Sequence, residues 1–97
     1  MFGYIGKLTA QDGQGSALAA LLLAGTRDMA GCPSYVIAPD LADPDTLWIT
    51  EVWESEEAHA ASLTLPQVRA AIEKARPLIA GMEAVAKTAP IAASVAR

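Results

Sequence analysis

The sequence predicts an α+β fold of the ferredoxin-like, split βαβ kind, with four antiparallel strands and helices on one face of the sheet. Three observations carry that expectation. Strand-prone and helix-periodic segments follow in the order β-α-β-β-α-(α)-β. A turn rich in Pro and Asp joins the middle strands as a hairpin, and the helical segments keep their larger apolar residues on one stripe.

Residues 2–9, FGYIGKLT, are β-prone and end at QDGQG, a strand followed by a turn. From Ser16 to Met29 the positions Leu18, Leu21, Leu22, Gly25 and Met29 recur at helical spacing. Asp12 or Ser16 is available to cap the free N–H groups there, and Gly31 is a natural stop. Residues 32–38, CPSYVIA, form the second strand, with Pro33 at its beginning, where a missing donor does least harm. Residues 39–45 are turn chemistry throughout, and Thr46 to Trp53 make the third strand. Side chains alternate along a strand, so Leu47, Ile49, Glu51 and Trp53 share one face while Trp48, Thr50 and Val52 share the other.

Ser55 caps the next helix, whose first turn carries Glu56 and Glu57 at the positive end of the dipole. Thr64 and Pro66 restart the helix, Val68, Ala71, Ile72 and Ala75 supply its buried stripe, and Pro77 ends it. Residues 82–88, MEAVAKT, are the last strand. Residues 90–97 read as a tail, or an arm that packs on a partner subunit. With a Trp on each face of the third strand, both faces of the sheet need cover. Helices take one; the sheet of a second copy would take the other, which predicts a homodimer.

At 97 residues the chain is expected to be one domain, its core at about residues 2–88 and its tail at 89–97. A domain this small gains from burying further surface in an oligomer. Seven basic residues against 11 acidic ones give a net charge of −4, and the cations are scattered, which argues against nucleic-acid binding. The single Cys32 forms no internal disulfide and fits a reducing compartment. No apolar run reaches the roughly 18 residues of a membrane span, and no basic and apolar leader is evident. A soluble, cytoplasmic protein without membrane contact is the expectation.

Other chemistries find little support. One His and one Cys make no ordinary zinc site, so no metal site is expected. QDGQGSA lacks the spacing and the Lys of a phosphate-binding loop. Cys32 has no neighbouring acid or base in sequence to activate it as a nucleophile.

The run SYVIAPDLADPDTLWITEVWESEEAHAASL and the closing LPQVRAAIEKARPLIAGM resemble the antibiotic biosynthesis monooxygenase (ABM) family, to which small quinol monooxygenases belong. The most specific elements are Glu51-Val52-Trp53 with Glu57-Ala58, and the helix from Pro66 to Leu78; the similarity runs from about residue 2 to residue 88. The resemblance implies a dimeric α+β barrel that oxidises a quinol or polycyclic phenol with O2, without metal or flavin cofactor. Such a substrate, once deprotonated, is its own electron donor, so the protein need only bind the rings, favour the anion and exclude solvent. Family members commonly carry a His nine positions after the Trp that ends the third strand; Ser62 stands there in this chain. His59, its only His, lies one helical turn away on the same face and is the candidate base. Haem-degrading relatives use a His on the helix that here runs from Pro66 to Arg76, and this segment has none.

Trp53, Trp48, Tyr35 and Tyr4 are the candidate walls of a substrate pocket, although strand aromatics also serve as plain packing residues. Glu51 reads as a structural carboxylate, and Glu54, Glu56 and Glu57 as a solvated helix start. The alternative reading is a noncatalytic dimeric barrel that binds a small aromatic ligand. Whether a closed cavity of about 300 Å³ or more lies between helices and sheet separates the two, because ring-shaped substrates need that volume.

Overall fold

One four-stranded antiparallel sheet organises the chain, in the order β2-β3-β1-β4, in a computed structural model that describes residues 1–91. Strand β1 spans Phe2–Ala10, β2 Ser34–Pro39, β3 Thr46–Trp53 and β4 Ile79–Thr88. Helix α1 spans Gly15–Gly25, α2 Glu56–Ser62 and α3 Pro66–Ala75, with a single 3-10 turn at Arg76–Leu78 leading into β4. Sheet order and element order together are the ferredoxin-like α+β arrangement that the sequence predicts.

Register decides which side chains meet the helices. Tyr4 lies opposite Glu51, Gly6 opposite Ile49 and Leu8 opposite Leu47 across β1 and β3, while Tyr35 and Ile37 of β2 lie opposite Glu51 and Ile49. All of these project to the helix-covered face, because cross-strand partners share a face. Leu8, Leu47 and Ile49 pack there with Leu18 and Leu22 of α1 and Ala75 of α3. A second, smaller cluster joins Met29, Trp53 and Val68. Small residues bring the two longer helices together: a Cβ on Gly25 would collide with the methyl of Ala71.

Several boundaries differ from the sequence expectation, each for a local reason. Helix α1 stops at Gly25 instead of reaching Met29, since Thr26 turns its hydroxyl back to the Leu22 carbonyl (2.7 Å) and Asp28 adopts a positive φ of 53°. Met29 is still buried, but from a loop. Neither Asp12 nor Ser16 caps α1. The cap comes from the hairpin: the Asp45 carboxylate accepts the N–H groups of Gly13 and Gly15, each at 2.9 Å. In β2, Cys32 and Pro33 precede the strand and Pro39 joins it, which an edge strand tolerates.

Ser55 caps α2 as expected, its Oγ accepting the N–H of Ala58 at 3.1 Å. Thr64, by contrast, donates its hydroxyl to the Ala61 carbonyl and leaves the N-cap position of α3 to Leu65, so Pro66 alone sets that start. Ile72 is 37% exposed and stands outside the buried stripe of Val68, Ala71 and Ala75. Strand β4 begins three residues before the expected 82, because Ile79 and Gly81 already pair with Ala10 and Thr9. Of the expected tail at 90–97, residues 92–97 lie outside the described residues. No helix among the described residues is long and apolar enough to cross a membrane.

Candidate active site

Between the helices and the sheet, on the flank of the main core, lies a cleft of about 280 Å³, open on one side and slightly smaller than the closed cavity of about 300 Å³ or more that would separate the two readings. Its floor is the sheet, at Tyr4, Gly6, Tyr35 and Ile49; Leu22 and His59 close it from the helices. Gly6 matters to this shape. A Cβ there would lie 3.2 Å from the Tyr4 ring, so the missing side chain lets the ring settle and keeps the floor low.

His59 reaches the cleft because Ser55 starts α2 at a defined point, one turn earlier. Its ring is surrounded by aromatics: Tyr4 stacks on it at 5.4 Å between centroids, Phe2 tilts against it at 5.5 Å, and Trp53 meets it edge-on at 5.5 Å. Ser62, one turn on, is buried and donates its hydroxyl to the His59 carbonyl at 2.6 Å. Ser62 is thereby satisfied within its own helix.

The residue that sequence reasoning set aside is Glu51. Only 8% exposed, it is the one buried carboxylate among the described residues. Its Oε1 accepts the indole N–H of Trp53 at 2.9 Å and lies 3.8 Å from His59 Nε2. That second separation is too long for a hydrogen bond and too short to admit an atom between the two, so a hydroxyl reaching both would sit to one side of the pair. Burial raises the Glu51 pKa above the ordinary carboxylate value, while the Trp53 donor and the nearby imidazole pull it back only in part. A sequence signal for it did exist: a Glu on the same strand face as Leu47, Ile49 and Trp53 has to be buried.

Tyr35 completes the polar set. Its phenol is pushed far above the usual range, first by burial, then by the negative charge of Glu51 and by Cys32. A phenol held protonated in this way is a hydrogen-bond donor to an oxyanion. Burial also raises the Cys32 thiol, the opposite of what a nucleophile needs.

Three of the five expected site residues line this cleft, and a fourth supports it from behind. Tyr4, Tyr35 and His59 line it; Trp53, 1% exposed, lies outside the lining, behind His59, and acts as the donor to Glu51. Trp48 does not reach it. It lies on the opposite sheet face, where its indole N–H is donated to Asp40 at 2.9 Å and Lys7 sits 5.6 Å above its ring. No three His, Cys, Asp or Glu side chains converge as metal ligands among the described residues.

A ferredoxin-like α+β protein with a carboxylate and an imidazole facing each other in an aromatic cleft is the class that fold and site define. A family model for antibiotic biosynthesis monooxygenase matches residues 1–74, and the chain belongs to that family. Among solved structures, a family-named protein from Chloroflexus aurantiacus is 50% identical, with 97% of this chain and 96% of that one covered and a TM-score of 0.93. Another family-named protein, from Deinococcus radiodurans, is 31% identical over 100% of this chain and 97% of its own, with a TM-score of 0.75. A Pseudomonas aeruginosa protein at 21% identity, covering 94% of each chain with a TM-score of 0.81, shares the fold. No curated protein matches the chain at a significant level.

Proposed function

We propose that this chain is a monooxygenase that oxidises a quinol or polycyclic phenol with O2 in the cleft, the substrate itself supplying the electrons. The observation that carries the reading is the Glu51–His59 pair at 3.8 Å inside an aromatic-walled cavity. A phenolic hydroxyl beside the pair, facing His59 Nε2, donates its one proton to the imidazole. Tyr35 donates to the resulting oxyanion, and the low polarity of the walls strengthens that interaction.

The phenolate then passes an electron to O2, and the radical pair recombines at a ring carbon. One oxygen atom stays on the ring as the quinone or hydroxyquinone oxygen; the other leaves as water, with the two electrons drawn from the substrate. No flavin or metal is needed for that balance. Shielding from solvent keeps the radical pair from escaping.

Two copies would pair through the uncovered sheet faces. Val36 is half exposed there, and Ile5, Trp48 and Val52 are only partly buried, an apolar surface that a second sheet can cover.

Oxygen uptake by metal-stripped protein given a panel of quinols, with the uncatalysed rate subtracted, tests the activity. Uptake proportional to protein and insensitive to chelator is expected. No uptake above background, on a panel whose members still raise the melting temperature, would leave a binding protein and sink the oxygenase reading.

A further inference from the structure

Glu51 has a second oxygen, and the proposed reaction leaves it idle. Oε1 is the atom that accepts the Trp53 indole N–H and lies near His59. Oε2 has no hydrogen-bond partner among the described residues, yet none of their side-chain polar atoms is both enclosed and unpartnered, so Oε2 keeps a surface of its own. Glu51 lines the cleft, and the cleft is the open space that this surface faces.

The Tyr35 hydroxyl stands in the same way. Tyr35 on β2 is the cross-strand partner of Glu51 on β3, so the two side chains are neighbours on one face of the sheet, and both line the cleft. Burial and then the charge of Glu51 push the Tyr35 phenol up, with no hydrogen bond between the two groups. A donor and an acceptor that are neighbours, unpaired with each other and open to one cavity are free to act on a third group. A phenol that stays protonated stabilises charge developing on a carbonyl oxygen, and a carboxylate whose basicity burial has raised can take a proton from carbon nearby. Trp53 steadies that base by holding its other oxygen.

We infer that the cleft carries a second activity, the isomerisation of a cyclic β,γ-unsaturated ketone to its conjugated form, with Glu51 Oε2 as the base and the Tyr35 hydroxyl as the donor to the carbonyl oxygen. Glu51 takes the proton from the carbon between the carbonyl and the alkene, and the electron pair of that C–H bond moves onto the oxygen to give a dienolate, which Tyr35 holds. The Glu51 carboxyl then returns the proton to the far alkene carbon, and the double bond arrives in conjugation. Nothing is oxidised or reduced, and neither O2 nor a co-reactant enters. The walls suit a neutral ring, since Leu22, Ile49, Ile79 and Met82 surround the two polar groups. The inference shares with the proposed function only the cleft as the site of a ring.

β,γ-Cyclohexenone under argon tests it, with the absorbance of the conjugated ketone followed against a buffer blank. Isomerisation in proportion to protein is expected. Glu51→Gln should lower the rate by about 10²–10⁴-fold and Tyr35→Phe by about 10²–10³-fold, with the unfolding midpoint of each variant measured alongside. No protein-dependent isomerisation, or a rate that survives Glu51→Gln, overturns the inference. Should Glu51→Gln fail to fold, an undiminished rate in Tyr35→Phe overturns it equally. Oxygen uptake with quinols separates the two activities: uptake without isomerisation refutes the inference and leaves the proposed function standing, whereas isomerisation without uptake supports the inference and refutes the oxygenase.

Discussion

Leu47 and Glu51 stand on the same face of one strand, and their surroundings differ completely. Leu47 is fully buried among Leu8, Leu18, Leu22 and Ile49, where α1 and α3 press on the sheet. Glu51 is nearly as inaccessible, yet it borders a cavity, because the covering element there is the short α2, which brings His59, Ala58 and Ser62 rather than bulky aliphatics. One end of the sheet is closed by Leu packing. The other is closed by His59 and Leu22 over the rings of Tyr4 and Tyr35 and leaves space between them, and the polar groups that burial has perturbed collect there.

If that division is real, substitutions at the two ends should fail in different ways. The largest effect belongs to the dry end. Leu47→Ala should lower stability by about 2–5 kcal/mol in urea unfolding, from lost burial plus a cavity, and leave ligand affinity per folded molecule unchanged. His59→Asn should do the reverse, with oxygen uptake per folded molecule down by about 10²–10⁴-fold and the unfolding midpoint nearly unmoved. A loss of stability comparable to that of Leu47→Ala would make His59 a packing residue and erase the contrast.

Asp45→Ala sharpens the picture at the dry end. Loss of the acceptor for Gly13 and Gly15 should cost about 1 kcal/mol, and amide exchange should rise in the first turn of α1 without changing the cleft. Unchanged exchange there would show that the helix is held by its packing alone.

The smallest effect is at Glu51, and it depends on pH. Its folded pKa is raised above the unfolded value by burial, so the fold favours the neutral acid. That contribution is present in full below the unfolded carboxyl pKa, and it is lost as pH rises through the folded pKa. Glu51→Gln keeps an acceptor for the Trp53 indole and removes the titration. Relative to wild type it should therefore gain stability as pH rises from acid to neutral. A gap that does not change with pH would mean that the Glu51 pKa is not displaced by folding.

Much of this contrast is legible in the chain. The alternation in TLWITEVW places Leu47, Ile49, Glu51 and Trp53 on one face, and the structure has all four there and buried. Ser55 announces the start of α2 and so sets where His59 falls. Less visible was the value of Glu51. A carboxylate in a strand looks structural until its neighbours are known, and both His59 and the Trp53 indole reach it only through folding. Trp48 shows the converse: its aromatic character suggested a pocket wall, but its place in the alternation puts it on the far face, with Asp40 and Lys7.

Sequence alone determined the order of strands and helices, the face each strand residue takes and the family, because these follow from local propensity and from a period of two or 3.6 along the chain. Tertiary structure decided what caps α1, where α1 ends, and that a cleft stays open between Tyr4, Tyr35 and His59. Those depend on pairs such as Gly13 with Asp45, 32 positions apart in sequence. No local pattern encodes such contacts; they form only when the hairpin and the helix meet over the same sheet.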